Sequence, residues 1–88
     1  MTVTSTHTRS PAVGWDISAS GKADQGEKIA RAQIIVNGFS EYDKTFDPPL
    51  SGWQEQLNRQ GQYPGNNTVQ VIVTSDKGED TEFDDSWS

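Results

Sequence analysis

Valine recurs at every second position over residues 69–73 of the chain. Val69, Val71 and Val73 share one side of the pattern, and the residues between them, Gln70 and Ile72, share the other. Successive side chains of a β-strand point to opposite faces of the sheet. The stretch therefore predicts a strand that has one face on a hydrophobic core.

Six further stretches carry strand patterns and are separated by turn residues: 2–8, 13–19, 29–37, 42–46, 53–57 and 81–87. The threonine-rich first stretch is typical of an edge strand with little apolar burial. The pair Asn37-Gly38 predicts a tight turn, because both residues tolerate a positive φ. Short strands separated by turns predict an all-β, two-sheet antiparallel sandwich. We expect one sheet from the strands near Val3, Val13 and Trp53, and the other from those near Ile34, Val71 and Phe83.

Two segments also fit a helical period, and one aromatic residue fits the core. Residues 23–32 would make a short helix, although Gly26 weighs against it. Residues 51–60 could be helical as well, but we favour a strand there.

Trp15 is in phase with Ile17, so we predict that Trp15 belongs to the core, because large aromatic residues supply much of the burial in a small sandwich.

The charge and composition narrow the classes of partner. The chain has 88 residues, which fit a single domain over residues 1–88. Its 13 acidic and 7 basic residues give a net charge of −6, which repels nucleic acid. No apolar run is long enough for membrane insertion. Without cysteine, neither a disulfide framework nor a thiolate metal site is available.

The second half of the chain resembles a known family. Leu57, Gly61, Tyr63 and Gly65, followed by residues 67–78, resemble the corner, strand and turn that end bacterial immunoglobulin-like domains. Residues 36–38 resemble the third strand of those domains and its turn. The resemblance implies a seven-stranded immunoglobulin-like β-sandwich. It also implies that the Tyr63 hydroxyl pins the corner by bonding to the backbone. Such domains serve as adhesion and spacer units of bacterial surface proteins and as enzyme-appended modules.

Exposed aromatic side chains would indicate a sugar-binding surface. If Trp53 and Trp87 were exposed together with Tyr42 or Phe39, their rings could stack on sugars. Amide side chains such as Asn66 would then supply hydrogen bonds. Asn66 also begins a glycosylation pattern, but that pattern is frequent by chance.

The acidic C-terminal stretch allows three interpretations. Asp76, Glu79 and Asp80 could contribute to a calcium site, since calcium binds six to eight oxygen ligands. The spacing matches no EF-hand loop. The same stretch could bind a cationic partner, or could be the solvated face of an edge strand, which is the commonest role of such charge runs. No other cofactor is expected.

A catalytic role finds little support, because the sole histidine, His7, lies near a terminus outside any recognisable motif. We therefore expect no enzyme. We expect a non-catalytic binding or architectural module that presents residues 37–42 and 60–67 to a protein or polysaccharide partner, or to neighbouring domains. A carbohydrate-binding module and a calcium-stabilised extracellular module are the alternatives. A third is an inhibitor that uses residues 46–53, which two prolines stiffen. We expect a monomer with an extracellular or cell-surface location. A cytoplasmic location stays an alternative, because no signal peptide follows Met1.

Overall fold

The computed structural model describes all 88 residues, and they form seven antiparallel strands without a helix. The strands are β1 (Thr2–Arg9), β2 (Trp15–Lys22), β3 (Ile29–Val36), β4 (Phe39–Leu50), β5 (Gly52–Gln60), β6 (Asn67–Ser75) and β7 (Asp80–Trp87). They build a three-stranded sheet in the order β1-β2-β5 and a four-stranded sheet in the order β4-β3-β6-β7. The predicted sandwich is confirmed, and the six strands that were assigned to a sheet lie in the expected ones; β4, which was not assigned, joins the second sheet. No helix is present that could span a membrane.

The core lies between the two sheets and follows the period-two patterns. Val69, Val71 and Val73 of β6 are fully buried, as predicted. The other buried apolar residues are Val3, Ile17, Ala19, Ile29, Ala32, Ile34, Val36 and Trp53. Both sheets contribute to this set, because each turns one face inward. The resulting core is small, and it is dominated by β-branched residues that suit a pleated surface.

Both helical alternatives are wrong. Residues 29–36 form β3, and residues 52–60 form β5. The tight turn at Asn37-Gly38 is confirmed, with φ values of 51° and 81°. These two positive φ angles match the twist of the strands that the turn joins.

The β1–β2 hairpin differs from the prediction. Val13 is 60% exposed and lies before β2, which begins at Trp15. Gly14 has a φ of 71°, and a Cβ there would lie 2.6 Å from the Gln60 carbonyl oxygen. The close approach of β5 at Gly14 thus ends the regular strand. Trp15 is only half-buried and does not belong to the buried core, so the predicted core role is wrong.

β4 is longer than predicted. It runs for 12 residues and passes through Pro48-Pro49. Proline is tolerated because β4 is an edge strand, where an N–H can face away from the sheet. The segment expected to protrude as an inhibitor loop, residues 46–53, is therefore mostly strand, with a bend at Ser51.

Candidate functional site

Two of the predicted aromatic residues pair inside the sandwich. Trp53 is 7% exposed, and its Nε1 donates a hydrogen bond of 3.2 Å to the Tyr42 hydroxyl. The two ring centroids lie 5.7 Å apart. The indole of Trp53 therefore has no free face on which a sugar ring could stack.

The other predicted binding residues lie apart from this pair and from one another. Phe39 is 71% exposed at the start of β4, whereas Trp87 lies at the end of β7. β4 and β7 are opposite edges of the four-stranded sheet, so about 14 Å separates them at the usual strand spacing. Asn66 is exposed in the β5–β6 connection. The structure thus does not assemble a shared aromatic platform.

A second aromatic group joins the two sheets where β1 meets β7, and we call it the β1–β7 seam. The His7 ring stacks on Trp87 at 3.8 Å, and His7 Nδ1 lies 3.1 Å from Asp85 Oδ2. Trp15 meets the edges of both rings. Trp87 Nε1 is buried without a hydrogen-bond partner. The seam links the two sheets on this side of the sandwich. Its contacts keep Trp87 partly buried although Trp87 is the last residue of β7.

The β5–β6 corner is pinned by an asparagine, not by the expected tyrosine. The Tyr63 ring is 49% exposed and packs 3.5 Å below the Arg9 guanidinium. Asn67 is 1% exposed. Its Oδ1 accepts hydrogen bonds from Gln62 N and Asn37 Nδ2, and its Nδ2 donates to the carbonyls of Gln62 and Gly65. This side chain fixes the loop that was expected to present itself to a partner.

The predicted metal ligands are engaged separately. Asp76 Oδ1 accepts a hydrogen bond of 3.1 Å from the backbone N–H of Lys28, and Asp80 Oδ1 accepts one of 2.6 Å from the Thr74 hydroxyl. Glu79 is exposed in the turn before β7. The three carboxylates do not converge, and no group of three potential ligand side chains exists elsewhere in the structure. Calcium binding stays a prediction.

The outer face of the four-stranded sheet combines acidic and apolar side chains. Asp80, Glu82 and Asp84 point outward from β7, and the adjacent strands carry Ile72 and Ile35. Both isoleucines are half-buried and lie diagonally across the β3–β6 ladder, close enough to contact each other. A shallow groove runs between β6 and β7 beside Asp84. We call these five residues the acidic face.

The charges of this sheet are paired near β4, and Arg31 there also attracts Asp80, whereas Glu82 and Asp84 of β7 have no ion-pair partner. Near β4, Arg31 binds Asp43 through two hydrogen bonds of 2.9 and 2.7 Å, which lower the pKa of Asp43 and raise the pKa of Arg31. On β7, a hydrogen bond with the Asp84 carboxyl raises the pKa of Glu82, and a bond from Gln70 opposes the shift. The raised pKa reflects the like charge of Asp84, which lies two residues away on the same face of β7.

Sequence reasoning missed several of these residues. Asn67 belonged to the resemblance and to the glycosylation pattern but received no structural role, although an asparagine that opens a buried strand is a candidate for a loop anchor. Ile72 was placed on the outward side of its strand, but its register beside Ile35 needed the strand order. The pairing of His7 with Asp85 spans 78 residues and left no local signal.

The chain shows no significant match to a protein-family model, to a curated protein or to a solved structure. The coarse architecture, an antiparallel sandwich, therefore rests on the pairing of the strands themselves.

Proposed function

We propose that this protein is a non-catalytic binding module that docks a protein partner with a basic surface through the acidic face. Docking surfaces commonly combine an apolar centre with a polar rim. The acidic face has this composition, because Ile35 and Ile72 lie at its centre and three carboxylates line β7.

The observation that carries the proposal is the row of three carboxylates, Asp80, Glu82 and Asp84, on the outer face of β7, with Ile72 opposite Glu82 on β6. The pKa of Glu82 is raised because of the neighbouring Asp84 carboxyl, and Gln70 Nε2 donates a hydrogen bond of 3.4 Å to Glu82 Oε2. A lysine or arginine from a partner would relieve this repulsion and gain two acceptors. Complementary charge also accelerates association and selects against acidic partners.

The geometry gives less support to the alternatives. A sugar platform would need an open indole, but Trp53 is buried against Tyr42. A loop at residues 60–67 that adapts to a partner would have to change its backbone conformation, but the hydrogen bonds of Asn67 hold that backbone in place. The bacterial immunoglobulin-like family and the extracellular or cell-surface location remain part of this proposal.

The test is a titration of the isotopically labelled protein with a lysine-rich peptide, followed by NMR. We expect chemical-shift changes concentrated on Gln70, Ile72, Glu82 and Asp84. Neutralising two carboxylates, as Glu82→Gln with Asp84→Asn, should weaken binding by about two- to thirtyfold, because exposed ion pairs contribute about 0.2–1 kcal/mol each.

The matched control is Glu41→Gln with Asp47→Asn, which removes the same charge from β4, the opposite edge of the same sheet. We expect this pair to leave binding nearly unchanged. If both pairs weaken binding equally, the peptide responds to net charge alone, and the acidic face is not a binding site.

A further inference from the structure

Three of the four edge strands of the sandwich are blocked against pairing with another strand. β4 contains Pro48 and Pro49. On β5, Glu55 Oε1 accepts a hydrogen bond from the N–H of Gln56, and on β7, Asp85 Oδ1 accepts one from the N–H of Ser86. Proline, charge and occupied N–H groups are the usual means by which proteins protect sheet edges.

The fourth edge, β1, has none of these protections between Thr2 and Thr8. That segment contains no proline, no lysine and no carboxylate, and His7 is its only titratable side chain. No side chain binds a backbone N–H of β1. The ladder with β2 runs over all eight residues without a bulge, so the strand is regular along its whole length.

The backbone groups that face away from β2 can be identified from the ladder. Ser10 N–H donates to the Gly14 carbonyl at 3.0 Å, in register with the β1–β2 pairs. Because hydrogen-bonding direction alternates along an antiparallel strand, the N–H groups of Val3, Ser5 and His7 point to the free edge.

We infer that the free edge of β1 accepts an extended, basic segment of the partner protein as an additional strand. This inference rests on the proposed function and gives the same partner a second contact, at the edge of the three-stranded sheet. Main-chain hydrogen bonds to Val3, Ser5 and His7 would supply affinity, as in other cases of strand addition. Basic side chains of the added strand would lie beside β7, which contacts β1 at the seam through Asp85 and Trp87.

Charge argues for a basic partner segment over a second copy of this chain. Antiparallel pairing of β1 with β1 of a second copy would bring two β7 strands together, each with Asp80, Glu82 and Asp84. Each copy also carries a net charge of −6. Like charges placed opposite each other are destabilising, whereas a lysine-bearing strand meets complementary charge.

The experiment compares two synthetic peptides of alternating valine and lysine, of the same length as β1. One is unmodified, and the other is N-methylated at its central residues, which preserves its charge but removes the N–H groups that a strand needs. We expect the unmodified peptide to bind about tenfold more tightly or better, since two lost hydrogen bonds suffice for that difference. We also expect its binding to shift the amide signals of Val3, Ser5 and His7.

The outcomes separate the two proposals. Equal binding of both peptides, mapped to the acidic face, overturns strand addition and leaves the proposed function intact. Binding of neither peptide contradicts both. A concentration-dependent dimer in sedimentation, abolished by Ser5→Pro, would show that β1 pairs with itself and would also overturn the inference. Ser5→Pro removes an outward N–H, and its melting curve verifies that the variant folds; the peptide comparison does not depend on it.

Discussion

Replacing Asn67 by alanine tests whether one buried side chain holds the β5–β6 corner. Asn67 is 1% exposed and makes four side-chain hydrogen bonds, at distances from 2.7 to 3.2 Å. Three of them bind residues 62 and 65 of the loop, and one binds Asn37 of the β3–β4 turn. Asn37 in turn accepts a hydrogen bond from the N–H of Thr68. The substitution thus releases the β5–β6 loop from the start of β6, whereas the β3–β4 turn loses one of its hydrogen bonds and keeps those between Asn37 and Thr68.

The size of the effect follows from these contacts. A hydrogen bond contributes about 0.5–1.5 kcal/mol net. Gln62 is exposed, so water can partly replace what it loses, and we take the lower half of the range. The Asn67→Ala variant should lose about 3 kcal/mol of unfolding free energy. That is a large share of the roughly 4–13 kcal/mol typical of a domain this size.

Urea denaturation followed by tryptophan fluorescence measures the loss. With a urea dependence of about 1 kcal/mol per molar, the midpoint should fall by about 3 M, or the variant should be partly unfolded without denaturant. Asn66→Ala is the matched control, because Asn66 is the exposed neighbour and should cost less than about 0.5 kcal/mol. If Asn67→Ala and Asn66→Ala prove equally mild, the corner is held by something other than these hydrogen bonds.

Two further predictions concern the same corner and the acidic face. Gly61→Ala should strongly lower the free energy of unfolding, because Gly61 has a φ of 72° and a Cβ there would overlap Asn67 Oδ1. Gly38→Ala is the control: Gly38 has a φ of 81° and open space around it, so only the backbone cost of about 1–2 kcal/mol applies. Adding Gly61→Ala to the Asn67→Ala variant should cost less than adding it to the native protein, and simple additivity in urea melts would contradict the overlap. Asp84→Asn should lower the pKa of Glu82 toward its usual value in an NMR titration. The raised pKa of Glu82 stabilises the folded state at acid pH, and this stabilisation is lost as the pH rises through the pKa of the folded state. Asp84→Asn should therefore raise the melting temperature at neutral pH, and this gain should disappear below the ordinary pKa of glutamate. An unchanged titration of Glu82 in the variant would refute the coupling.

The sequence predicted the parts of the fold that local periodicity controls. The valines of β6 and the alternation of acidic and inward residues in β7 each occupy a single strand, so the pattern alone identifies the buried face. The Asn37-Gly38 turn was predictable for a similar reason, since its φ angles depend on two adjacent residues.

Features that depend on contacts between distant strands were not predictable in this way. Trp15 has the phase of a core residue, yet the approach of β5 to Gly14 places it in the seam beside His7 and Trp87. Trp53 has few apolar neighbours in sequence and is nevertheless buried, because Tyr42 of the opposite sheet packs against it. Periodicity predicts which face of the sheet a residue points to, but the order of the strands decides which residues it packs against there.

The arrangement of charge on β7 distinguishes edge protection from binding. A protected edge requires only that charged side chains interrupt pairing, and mixed charges would do so without repulsion. Here Asp80, Glu82 and Asp84 all lie on the outer face, and the Asp84 carboxyl raises the pKa of Glu82. This repulsion is a cost that edge protection does not need, and it falls on the side of the sheet where Ile35 and Ile72 are partly exposed. A basic partner would convert this repulsion into favourable contacts on the acidic face.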